Sequence, residues 1–247
     1  MESLESIFKN SSSRLKTIFG VPDAPDPEFS LVTNLPDNIP GALLYKIGED
    51  KAKIGISKQF YEEAKNTRLQ ELLWTVQEEV AHFYHHHINR PVWDEMGRIE
   101  HAQIAGTWTE DNRRILELKN LTEFVARLAG YYVGVPPQDG KELMNIWEKL
   151  KEGAKPYTKS VEEFDEYCVN NPSYSKLLYY GVNRILGCIL GDRIALNTEE
   201  GFLPIPELVQ GFAKANSFQE ASDVYAKLYP DKENEVQTLT EQFFQAA

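Results

Sequence analysis

The sequence predicts an α+β fold, predominantly helical, with a small N-terminal β-sheet packed on one long helix. Three observations predict it. Two short β-prone segments, Ala42-Leu43-Leu44-Tyr45-Lys46-Ile47 and Lys53-Ile54-Gly55-Ile56, flank the turn signal Gly48-Glu49-Asp50-Lys51 and read as a hairpin. From about Ser57 onward, apolar residues recur at three- and four-residue spacing almost without interruption. Before the hairpin, Pro22, Pro25, Pro27, Pro36 and Pro40 exclude a regular helix over 21–40.

Taken in order, residues 1–20 carry a weak amphipathic pattern (Leu4, Ile7, Phe8, Leu15, Ile18, Phe19) broken by Ser11-Ser12-Ser13. The proline-rich stretch after it reads as an extended arm. The long helix beyond the hairpin has Thr67 as its expected N-cap and Glu71 in its first turns. Leu69, Leu72, Leu73, Val76, Val80 and Phe83 give it one apolar stripe, with Glu78, His82, His85 and His86 on other faces and Glu79 at the margin. Pro91 is expected to end it. A second strong helix runs from about Leu116 to Val133 and stops before Pro136-Pro137. Further helices are expected at about 140–152, 161–169, 173–196, 204–215, 217–228 and 232–245. The organisation that follows is an N-terminal helix and arm (1–40), a core (41–137) and a helical C-terminal region packed on it (138–247).

Composition narrows the function classes. A net charge of −12 argues against a nucleic-acid partner, which requires a basic surface. No apolar run approaches the roughly 18 residues of a membrane helix, so no membrane partner is expected. The acidic start, Met1-Glu2-Ser3-Leu4-Glu5, lacks the regions of a signal peptide. Cys168 and Cys188 form no CxxC pair and no disulfide framework, which makes a reducing cytoplasm the expected location.

The candidate chemistry lies in the histidines. All five fall between His82 and His101, four of them in the run Glu78-Glu79-Val80-Ala81-His82-Phe83-Tyr84-His85-His86-His87. Imidazole and carboxylate hold metal ions and move protons near neutral pH. Residues i and i+4 project side by side, so Glu78 with His82, or His82 with His86, offers two ligands from one helix. The competing reading is a solvated histidine face set against the C-terminal end of the helix dipole.

The order of elements adds to this. A β-segment, a helix with Glu78-Glu79-Val80-Ala81-His82, an irregular segment and a helix with Glu123-Phe124-Val125-Ala126 resemble the core of zincin metallopeptidases, especially the compact glutamate-liganded ImmA/IrrE kind. The resemblance covers roughly residues 41–135 and implies a zincin-like core with further helices behind it. It implies residues 54–57 as the edge strand along a substrate cleft. It also implies Glu79 as the catalytic base, His82 and Glu123 as metal ligands, and a protein or peptide as partner. The helix around Tyr180-Gly181-Val182-Asn183 resembles one that packs behind such sites.

The departure is at Glu78, which stands where the family's H-E-x-x-H has its first histidine, so the motif reads E-E-x-x-H. Glu78 still offers an oxygen ligand, and His86 is the alternative second imidazole with the metal one turn along. Zinc is the cofactor the resemblance implies, while a carboxylate-rich set shifts preference towards manganese or iron. The expectation is therefore a metallopeptidase-related protein with an altered site, inactive or weakly active. The alternatives are an active metal-dependent hydrolase with unusual Glu/His ligands, or a non-catalytic protein-interaction module. An unrelated helical scaffold would place Glu123 far from His82.

Other constellations carry less. A di-iron bundle needs a second E-x-x-H, which is missing. Cys168 and Cys188 read as buried structural thiols. No G-x-G-x-x-G, P-loop or G-x-S-x-G occurs. Trp74, Trp93, Trp108 and Trp147 read as core and rim residues. Arg98, Arg113, Arg114 and Arg127 bracket the candidate site, with ion pairs to local acids as their expected role.

Overall fold

The computed structural model describes residues 3–35, 39–49, 51–107, 113–133 and 205–228. Among them the chain is mostly helical with one three-stranded sheet, as the composition of periodic segments requires. The expected helices at 140–152, 161–169, 173–196 and 232–245, the two cysteines, Trp108, Trp147 and the Tyr180 segment lie outside the described residues.

Helix α1 (Leu4–Phe19) runs unbroken through the three serines. Ser3 caps its start by accepting from the Ser6 N–H. Gly20, at φ 68°, ends it in the left-handed conformation, with Val21 N–H reaching back to the Lys16 carbonyl at 2.9 Å. Ser11 and Ser12 do not interrupt the helix because they are buried, and Ser12 is satisfied by tertiary partners. Its Oγ donates to Asp26 Oδ1 at 2.5 Å and lies 2.6 Å from the Tyr84 hydroxyl.

The proline-rich arm contains a strand, contrary to the sequence reading. β1 (Glu28–Val32) fits between Pro27 and Pro36 and pairs in parallel with β3 (Ala52–Ser57), Phe29 opposite Ile54. Its flanking prolines are compatible with this because β1 is an outer strand. β2 (Gly41–Tyr45) and β3 form the expected antiparallel hairpin, with Leu43 opposite Ile54. The order is β1-β3-β2. Residues 54–57 are therefore in the central strand, and the strand at the sheet edge nearest the histidine helix is β2. Gly48, at φ 80°, turns the hairpin. Its N–H donates to Asp94 Oδ1 at 2.9 Å, which fastens the turn to the fourth helix.

Helix α2 (Lys58–Thr67) is capped by Ser57 and ends at Arg68, whose φ of −136° breaks it from α3 (Leu69–Ile88). Thr67 is thus the last residue of α2 and not the cap of α3. Its hydroxyl donates back to the Glu63 carbonyl, the choice open to a threonine inside a helix. Asn89 separates α3 from α4 (Arg90–Ile104), and Pro91 occupies the first turn of α4. There a missing N–H costs nothing, so the proline starts a helix where the sequence suggested a stop. Helix α5 (Arg113–Tyr132) packs across α3. α6 (Ile205–Lys214) and α7 (Phe218–Leu228) follow.

α3 is the central element. Residues 79–86 are all buried, because α1, the sheet, α4 and α5 enclose every face. Ile54 and Ile56 of β3, Leu15 and Phe19 of α1, Val76 and Val80 of α3, Leu121, Val125 and Leu128 of α5, and Leu208 and Phe212 of α6 join in one apolar core. Of the stripe read from sequence, Leu72, Val76, Val80 and Phe83 meet this core and Leu73 lies at its margin, whereas Leu69 is exposed. No helix among the described residues is long and apolar enough to cross a membrane.

Candidate metal centre

α3 presents Glu78 and His82 one turn apart, and α5 presents Glu123 and Arg127 one turn apart. The helices run antiparallel where they meet, so each residue of one pair faces a residue of the other. His82 Nε2 lies 3.6 Å from Glu123 Oε1, and Arg127 Nη2 lies 2.6 Å from Glu78 Oε1. The scaffold reading required Glu123 to be remote from His82, and that separation is not observed. Lower down the same interface, Gln77 Nε2 donates to the Val133 carbonyl at 3.3 Å, which fixes the register of the two helices.

One donor atom each from Glu78, His82 and Glu123 lies within 4.8 Å of the others. Two carboxylates and an imidazole at that spacing would have to draw together to share one ion at ordinary ligand distances of about 2.0–2.2 Å. The donor types suit a divalent cation of intermediate hardness. A ligand imidazole is usually oriented by a hydrogen bond from its other nitrogen. His82 Nδ1 makes none among the described residues. The ring is instead held by packing, edge-on to Trp93 with centroids 5.6 Å apart.

Glu79 sits beside these donors, buried, with Oε2 making no hydrogen bond among the described residues. Burial above all, then the negative charges of Glu78 and Glu123, hold its carboxyl well above the usual carboxylate range, and Arg127 opposes them. Its placement depends on a close approach of the sheet. A Cβ on Gly41 of β2 would stand 2.9 Å from Glu79 Cγ and 2.9 Å from Thr75 Cγ2. Only glycine lets the strand lie this near the helix.

The remaining histidines are distributed otherwise than a solvated face would place them. His85 and His86 are buried, and His87 is the exposed member of the run. His86 lies outside the three-donor group, its ring 5.2 Å from that of Tyr45 and 6.0 Å from that of Trp93. His85 also lies edge-on to Trp93, at 5.8 Å. Burial pushes the Tyr45 hydroxyl up from its usual range, and that hydroxyl donates to the Trp93 carbonyl at 3.0 Å.

Trp93 thus organises the histidine side of α3, a role the sequence did not indicate because its segment read as irregular. Arg127 takes the ion-pairing role expected of it. Arg114 does so too, through Glu95 at 2.7 Å and Glu117 at 2.8 Å. Arg98 donates instead to the Asp94 carbonyl.

No family model, no curated protein and no solved structure matches the chain.

Proposed function

We propose that this chain is a zincin-like, metallopeptidase-related protein whose metal centre is Glu78, His82 and Glu123, and whose hydrolytic activity is lost or weak. The observation that carries the reading is the convergence of those three donors from two helices within 4.8 Å. Glu79, next to the ligands, is the residue that would hold and deliver a proton. A bound divalent metal would supply the polarisation of a substrate carbonyl. Zinc is the first candidate, with manganese or iron favoured by the two carboxylates. A protein or peptide is the proposed partner, and the cytoplasm the proposed location.

Electrostatics accounts for the weak activity. Two carboxylate ligands neutralise more of a dication's charge than two imidazoles do, which reduces its power as a Lewis acid. One observation favours an active hydrolase as second reading. The enclosed carboxyl of Glu79 has a raised proton affinity, as a general base working near neutral pH requires.

Metal analysis of protein purified without chelator tests the centre. Stoichiometric metal is expected in the wild type and its loss in His82→Ala. In thermal melts, zinc at 100 times its Kd should stabilise the wild type by about 2.7 kcal/mol and His82→Ala hardly at all. Metal that survives His82→Ala would place the ion elsewhere, and a wild type that takes up no metal would remove the hydrolase reading.

A further inference from the structure

We infer that Arg127 sets the metal affinity of this centre by acting as an internal counter-ion that occupies Glu78. The inference rests on the metal centre proposed above and concerns what must happen for that centre to fill.

The geometry is specific. Glu78, one of the candidate ligands, contacts a cation supplied by the protein itself, the Arg127 guanidinium at 2.6 Å. Both side chains are largely enclosed, at 10% and 16% exposure, so water screens the pair little. Arg127 and Glu123 lie one turn apart on α5, as Glu78 and His82 do on α3. The same helix pair that brings the ligands together therefore also brings the guanidinium.

An arginine stays charged at any pH at which the protein is folded, so it cannot yield by losing its proton. A dication approaching Glu78 meets a fixed positive charge already bonded to that carboxylate. Either the carboxylate turns one oxygen to each, or Arg127 swings away and leaves its enclosed partner. Both routes weaken binding relative to a centre with a free carboxylate.

The arrangement also explains how three neighbouring carboxyl groups, Glu78, Glu79 and Glu123, are accommodated in a buried interface without a metal. Arg127 supplies a compensating positive charge at Glu78, the carboxylate it contacts. Removing the guanidinium should leave an interface that is less stable when empty and takes a dication more readily.

The test is zinc affinity of the full chain, measured by competition with a chromophoric chelator. Arg127→Gln is expected to bind zinc at least about tenfold more tightly than the wild type, a gain of about 1.4 kcal/mol. Arg127→Lys, which keeps the charge, should stay near the wild-type value. In the double variant Glu78→Gln/Arg127→Gln the gain should vanish, since the freed carboxylate is its source. Arg127→Met preserves the packing of the stem without the charge, and replaces Arg127→Gln if that variant does not fold by circular dichroism. If the wild type binds zinc through His82 and the charge-removing variants bind it no more tightly, the counter-ion role is wrong and the metal centre stands. If neither the wild type nor the charge-removing variants bind zinc at millimolar concentration, both fall.

Discussion

His85 is enclosed on all sides, and among the described residues neither ring nitrogen has a hydrogen-bond partner. Burial first, and then the neighbouring His82 and His86, lower its pKa from 6.5 to about 3, so the folded protein holds the ring neutral. In the unfolded chain the same ring takes up a proton below 6.5. Between those two values the unfolded state binds the extra proton. The stability linked to His85 is therefore present above pH 6.5 and is lost progressively as the pH falls towards 3. His85→Leu removes both the titration and two buried polar atoms without partners, and similar apolar replacements of such groups are neutral or stabilising. The expected outcome is a rise in melting temperature that is larger at pH 5 than at pH 8. Equal shifts at the two pH values would mean that the ring does not titrate on unfolding. Ser12 shows the opposite solution to polar burial: its hydroxyl bridges Asp26 and Tyr84, so it sits inside the core of α1 with its hydrogen bonds made.

At the scale of elements, the contact between β2 and α3 decides where Glu79 sits. Gly41→Ala would drive a methyl group into Thr75 Cγ2 and Glu79 Cγ, each 2.9 Å from the new atom. Thr75 is β-branched and restricted at χ1, so the strand or Glu79 has to move. Overpacking of this kind costs about 1–3 kcal/mol. A matching drop in the urea midpoint is expected, and an unchanged midpoint would show that β2 does not lie this close. Neither glycine nor threonine advertised this contact in the sequence. What the sequence did display was what local pattern encodes: the hairpin around Gly48, the long helix through His82, the helix through Glu123, and the i, i+4 pairing of Glu78 with His82. The parallel strand β1 was hidden because its partner, β3, lies beyond β2, and the prolines around it speak only of local conformation. Pro91 was ambiguous for the same reason, since one residue suits both the end of a helix and the first turn of the next. Glu123 was singled out only by the resemblance, and its place beside His82 depends on how α5 meets α3. Trp93 read as core or rim and is buried, but its place against His82, His85 and His86 was hidden, because packing between helices leaves no short-range signature.

Across the whole molecule, segments far apart in sequence close one core. Phe212 of α6 meets Phe124 of α5 with ring centroids 5.1 Å apart, one residue from Glu123. Buried Asn89, at the α3–α4 junction, donates to the Ala215 carbonyl at 2.8 Å. Gln210 donates to the Ile18 carbonyl of α1 at 3.2 Å, and Arg114 to the Asn216 carbonyl at 3.0 Å. These bonds tie α6 and the turn after it to α1, to α5 and to the end of α3. If they make one cooperative unit, a defect in α6 must be felt in α3. Phe212→Ala removes a nearly fully enclosed ring and should cost about 3–5 kcal/mol. In native-state hydrogen exchange that loss is expected at the slowest amides of α3, around Val80 and Tyr84, as well as within α6. Faster exchange confined to α6 would show instead that it opens alone and that α3 is held by α1, the sheet and α5 without it.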